Sequence, residues 1–109
     1  MNFEAIRDYA IIERNLIERE SGQKTKYLIK SKLIFVHNSQ KKRICMKLNE
    51  IDQSVFSSFN FDFIHPVPSK WGKYGWTLFY YENLPEELIF DALSCAYENG
   101  ITQNLYFIK

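Results

Sequence analysis

Between Asn2 and Glu20 the apolar residues Phe3, Ile6, Tyr9, Ala10, Ile12, Leu16 and Ile17 recur at three- and four-residue steps, with no Gly or Pro among them. That spacing predicts an amphipathic helix, closed by Ser21 and Gly22. From Thr25 the period drops to two. Tyr27 and Ile29 then face one way while Lys24, Lys26, Leu28, Lys30 and Lys32 face the other, as in a strand with one wet side. Leu33 to His37 is almost wholly apolar and reads as a central strand covered on both faces. After the turn residues Asn38, Ser39, Gln40 and Lys41, the core positions Ile44, Met46 and Leu48 alternate with Arg43, Cys45 and Lys47. A three-strand meander is expected, with its basic side chains on the face away from the core.

Asn49 can cap a second helix, with Asp52 in its first turn and Ile51, Val55, Phe56 and Phe59 as its apolar stripe. Phe61 to Val67 predicts another strand, which Pro66 and Pro68 confine to an edge or cut short because proline cannot donate to a ladder. Gly72 and Gly75 punctuate a turn, after which Trp76, Leu78 and Tyr80 alternate with Thr77, Phe79 and Tyr81 in a last strand. Pro85, Glu86 and Glu87 open a final helix with Leu88, Ile89, Ala92, Leu93 and Ala96 on its apolar side and Gly100 as its stop. The tail from Ile101 to Lys109 carries no assignable pattern. The pattern as a whole describes one α+β domain spanning residues 1–109, in the order α-β-β-β-α-β-β-α, without internal repeat or linker.

Composition sharpens this picture. A chain of 109 residues buries roughly 65% of its unfolded surface in a single core. Its 46% hydrophobic and 25% charged residues exclude a disordered or fibrous chain. The formal net charge is +1. The pI of 7.7 lies below the value of about 9 common in dedicated nucleic-acid modules. The distribution is less neutral: Lys24, Lys26, Lys30, Lys32, Lys41, Lys42, Arg43 and Lys47 occur in one stretch that contains no Asp or Glu, whereas Glu82, Glu86, Glu87, Asp91 and Glu98 cluster near the end. Such asymmetry can place a basic patch on one side of a near-neutral molecule. No apolar run reaches the roughly 20 residues of a membrane span, and the charges within Met1 to Asp8 do not fit a secretory signal, so the cytoplasm is the expected location. Cys45 and Cys95 read as two buried thiols.

Two segments carry a family resemblance. Lys47-Leu48-Asn49-Glu50-Ile51-Asp52-Gln53-Ser54-Val55-Phe56, followed by Val67-Pro68-Ser69-Lys70-Trp71-Gly72-Lys73-Tyr74-Gly75-Trp76-Thr77, resembles the MmcQ/YjbR family, in the branch with K-W-G-x-x-G-W-T. The helix from Pro85 to Asn99 continues the match in register, so that it covers roughly the C-terminal half of the chain. The resemblance implies an antiparallel sheet with helices packed on it, similar to secretion-chaperone-like and double-wing domains. It also implies DNA binding, and it brings no catalytic residues.

Two constellations stand out as candidate sites. The first is the basic stripe Lys24, Lys26, Lys30, Lys32, Arg43 and Lys47, which could neutralise phosphates from the open face of the sheet or could simply keep that face solvated. The second is the turn from Lys70 to Trp76. There Lys70 and Lys73 could meet phosphate, glycines could allow close approach and Trp71 could stack on a base, although both Trp71 and Trp76 fit buried rings better. His37 and His65 show no metal-ligand spacing with either cysteine, and no nucleophile elbow or phosphate-cradling loop occurs, so no metal, cofactor or catalytic residue is expected. The expected function is nucleic-acid binding, with DNA as partner. The alternative is a peptide- or protein-binding module, which an apolar patch beside the lysines would favour.

Overall fold

The computed structural model describes the backbone of residues 1–108 and the side chains of residues 1–102. Helix α1 (Phe3–Asp8) runs into a π turn (Tyr9–Glu13) and is followed by strands β1 (Ile17–Ser21), β2 (Lys24–Ile29), β3 (Lys32–Asn38) and β4 (Arg43–Lys47). Helix α2 (Glu50–Phe59), strand β5 (Ile64–Pro66), the short helix α3 (Lys70–Lys73), strand β6 (Trp76–Phe79), a 3-10 turn (Tyr81–Asn83) and helix α4 (Glu86–Ile108) complete the order. All six strands form one antiparallel sheet, ordered β1-β2-β3-β4-β6-β5. The α+β class and the β2-β3-β4 meander are as expected, and β5 lies at an edge, as its prolines require.

The helices cover one face of the sheet. Tyr27, Phe35, Ile44, Met46 and Phe79 point into that side with Ile6 of α1 and Ile89, Ala92, Leu93 and Ala96 of α4, and all are buried. Burying each large side chain of this kind contributes about 1.5–3 kcal/mol. Arg7 Nε of α1 donates to Glu18 Oε2 of β1 at 2.6 Å, and the Tyr27 hydroxyl donates to the same oxygen at 2.7 Å, tying helix to edge strand. The hydrogen bond from Arg7, helped by that from Tyr27, holds the Glu18 carboxyl down to about 2. Asn49 caps α2 as expected, its Oδ1 accepting from the Asp52 amide at 2.8 Å. Among the described residues, no helix is long and apolar enough to cross a membrane.

The structure corrects several expectations. The first helix does not reach Glu20: Asn15 adopts a left-handed conformation (φ 56°), and residues 17–21 become β1. All five β1 side chains are exposed, so the strand left no burial period to read, and pairing with β2 decides its conformation. Gly22 sits in the turn that follows. Gly100 does not end the last helix. A Cβ there would lie 2.6 Å from Cδ1 of Ile34, so this glycine serves the close packing of α4 on β3. The rest of the tail belongs to α4 up to Ile108, whereas Lys109 lies outside the described residues. The apolar stripe expected on α2 is mostly unburied: Phe56 packs inward, while Ile51, Val55 and Phe59 are exposed. Strand β3 is covered on one face only, since Leu33 and Val36 line a groove on the other.

Candidate functional site

Strand pairing lays out the uncovered face row by row. One row crosses five strands as Lys26, Val36, Cys45, Leu78 and His65, and its neighbour runs Lys24, Asn38, Arg43. Directly paired residues on antiparallel strands share a face, so these side chains stand together. With Trp71, Trp76 and Tyr80 they line a groove of about 740 Å³. A bulge between Tyr27 and Leu28 pairs Leu28 with Leu33, which leaves Ile34 as the extra residue and turns both Ile34 and Phe35 toward the helices.

The groove is chemically graded. Lys24, Lys26, Lys41 and Arg43 line its β2 to β4 side, aromatic rings line its β6 to β5 side, and no Asp or Glu is among the described residues that line it. Arg43 marks the seam, where its guanidinium donates to the Tyr80 hydroxyl at 2.8 Å and lies 5.7 Å from the centre of that ring. His65 Nδ1 lies 3.1 Å from the Phe61 carbonyl oxygen, which can only accept. Its ring sits 5.8 Å from that of Tyr80. Cys45, on the floor, has its thiol pushed up to about 11 by burial, which outweighs the opposing pull of the Arg43 and Lys24 charges. At neutral pH it is therefore a protonated, apolar floor group.

Of the residues singled out from sequence, Lys24, Lys26, Arg43 and Trp71 meet in this groove. Lys47 stands beside Trp76 in the strand register, on the same face. Lys70 reaches the rim, with Nζ 5.7 Å from the Trp71 ring centre. The others do not converge. Lys30 occupies the β2-β3 hairpin tip with a positive φ of 49°, where residue alternation no longer applies. Lys32 lies toward the helices, its Cγ 3.8 Å from the position of a Cβ on Gly100. Lys73 is exposed at the end of α3 and does not line the groove. Trp71, expected to be buried, is 54% exposed, and Trp76 is only half-buried.

The glycines of the Lys70 to Trp76 turn hold the protein's own backbone together. Both are buried, and a Cβ on Gly72 or Gly75 would overlap the carbonyl oxygens of Val67 and Leu48 respectively. The Leu48 amide donates to the Gly75 carbonyl at 2.9 Å, locking the turn to the end of β4. Gln53 of α2 ties the same turn down by donating to the Gly72 carbonyl and to Thr77 Oγ1, both at 3.0 Å. His37, by contrast, belongs to the core: its Nε2 is 2.9 Å from the Tyr81 hydroxyl and its ring is stacked on Phe3 at 3.4 Å.

Lys41, His65 and Tyr80 line the groove but were not among the candidate site residues. The alternation of Trp76, Leu78 and Tyr80 was the available signal. Only the pairing of β6 with β4, across an excursion of nearly thirty residues, shows that it lies beside the lysines. Compared with known proteins, the chain matches no family model, and neither a curated protein nor a solved structure is significantly similar to it.

Proposed function

We propose that this domain binds nucleic acid through the open face of its sheet and acts as a binding module. One observation carries the reading: four cations line a groove that no described carboxylate enters. A polyanion crossing that surface would release counterions from each phosphate it pairs, which gives affinity with little sequence dependence. The kinship with the MmcQ/YjbR family is part of the same proposal and is supported by the ordered motifs from Lys47 to Thr77 and by the alternation of helices and strands.

Anisotropy of labelled DNA titrated with the domain at several salt concentrations tests the reading. With four phosphate contacts the logarithm of affinity should fall with the logarithm of salt at a slope of about −3 to −4. Lys24→Gln and Arg43→Gln should each flatten it by about one unit. Absence of binding at micromolar protein and low salt refutes the proposal.

A second reading is favoured by Leu33, Val36 and Leu78 on the groove wall and floor, beside the lysines. These would suit an acidic peptide with apolar side chains. Saturable binding of such a peptide, together with no binding of DNA, would select it.

A further inference from the structure

We infer that the groove takes an unpaired polynucleotide in preference to a duplex; the inference rests on the nucleic-acid reading above and concerns which form of the ligand the site accepts.

Lys24 and Lys26 occupy one margin, Trp71, Trp76 and Tyr80 stand toward the other, and Arg43 joins the two at the seam, so a ligand that fills the groove must offer anionic groups toward β2 and flat apolar groups toward β6. The Lys26 to His65 row spans five adjacent strands. At about 4.8 Å between neighbours, β2 and β6 lie on the order of 15 Å apart. A duplex shows phosphates outside and only the edges of its bases in the grooves, so rings on the protein cannot stack on base faces without first breaking pairs. An unpaired strand presents both faces at once: its backbone can track the cations while its bases lie on the rings.

The Trp71 ring is 54% exposed, with the Tyr74 ring meeting it edge-on at 5.9 Å, and its backbone is anchored. Ser69 Oγ accepts from the Trp71 amide at 3.3 Å, and the neighbouring Gly72 is fitted against the Val67 backbone. Lys70 Nζ lies over one face of the ring, 5.7 Å from its centre, where it could meet the phosphate of a base stacked on the other face. A half-exposed ring on an anchored backbone, next to a cation, suits stacking on a base.

The test uses the full chain and a labelled single-stranded oligodeoxynucleotide of about a dozen residues, compared with the duplex of the same sequence at one salt concentration. The expected result is at least tenfold tighter binding of the single strand. Trp71→Ala should weaken single-strand binding roughly tenfold while leaving duplex binding nearly unchanged, and Trp71→Phe should restore most of the loss. Because Trp71 is exposed, the variants should melt with the parent by circular dichroism. Equal or tighter binding of the duplex overturns the inference and leaves the proposed function standing, as does an unchanged single-strand affinity in Trp71→Ala or a loss that phenylalanine does not recover. If neither form of DNA binds, both readings fall.

Discussion

Gly75 offers a direct test of whether the Lys70 to Trp76 turn is built for packing. Its φ of +106° lies outside the regions open to residues with a Cβ, and the β-carbon of an alanine there would sit inside 3.0 Å of the Leu48 carbonyl oxygen. The first effect costs about 1–3 kcal/mol for a strained backbone conformation, and the second about 1–3 kcal/mol more, because the displaced atom is main chain at the end of a central strand. Gly22 provides the control. It too has a positive φ, +64°, but nothing lies within 4 Å of its added Cβ, so Gly22→Ala should cost only about 1 kcal/mol. Urea denaturation followed by circular dichroism should show Gly75→Ala less stable than Gly22→Ala by at least 2 kcal/mol. That is a large share of the roughly 5–15 kcal/mol typical of a small domain. If the two variants unfold within 0.5 kcal/mol of each other by the same assay, the close approach to Leu48 contributes nothing and the argument fails.

Two further outcomes follow from the titrating groups. Burial lowers the pKa of His37, so the folded state binds fewer protons than the unfolded one; stability is full above the ordinary histidine value near 6.5 and is lost as pH falls from there toward the folded value. The urea midpoint should therefore drop between pH 7.5 and 5.5, and a His37→Gln variant, though less stable throughout, should show a shallower drop; parallel curves would show that His37 is not the group responsible. Cys45, with its thiol pushed up to about 11 by burial, should react with iodoacetamide at pH 7.5 far more slowly than a free cysteine and should gain full reactivity in urea, as read by mass spectrometry of the modified peptide.

The parts of this fold that were legible in the sequence are those where one face is wet and the other dry. In β4 the alternation of Ile44 and Met46 with Arg43 and Cys45 maps directly onto the covered and open faces, and in β6 Thr77 and Phe79 are buried opposite Trp76 and Leu78. Legibility failed where position is set by pairing. Residues 17–21 carry a pattern compatible with either helix or strand, and edge pairing with β2 settles it. Lys30 and Lys32 share the odd-even parity of the wet lysines, but the hairpin tip and the adjoining bulge break the alternation that parity assumes. Gly100 looked like a stop signal because a glycine that relieves crowding between a helix and a strand is identical in sequence to one that ends a helix.

Strand alternation also gives a chain of net charge +1 a charged, cationic face. The basic stretch supplies three consecutive, mutually paired strands, and their alternation sends apolar side chains to the helices and Lys24, Lys26 and Arg43 to the open face. Of the acidic residues near the end of the chain, Glu82 pairs with Lys42 at 3.3 Å, and Glu86, Glu87, Asp91 and Glu98 are exposed on α4, which packs against the opposite face of the sheet. The groove's cations and the exposed carboxylates of α4 thus stand on opposite faces of the sheet. An approaching polyanion would be turned toward the groove by this separation, even though the overall charge would attract it only weakly. Charge reversal on α4 should therefore alter the rate at which DNA associates more than the rate at which it leaves, whereas loss of Lys24 or Arg43 should mainly speed dissociation. Stopped-flow measurement of both rate constants separates the two roles, and a slower dissociation on changing α4 alone would contradict this assignment.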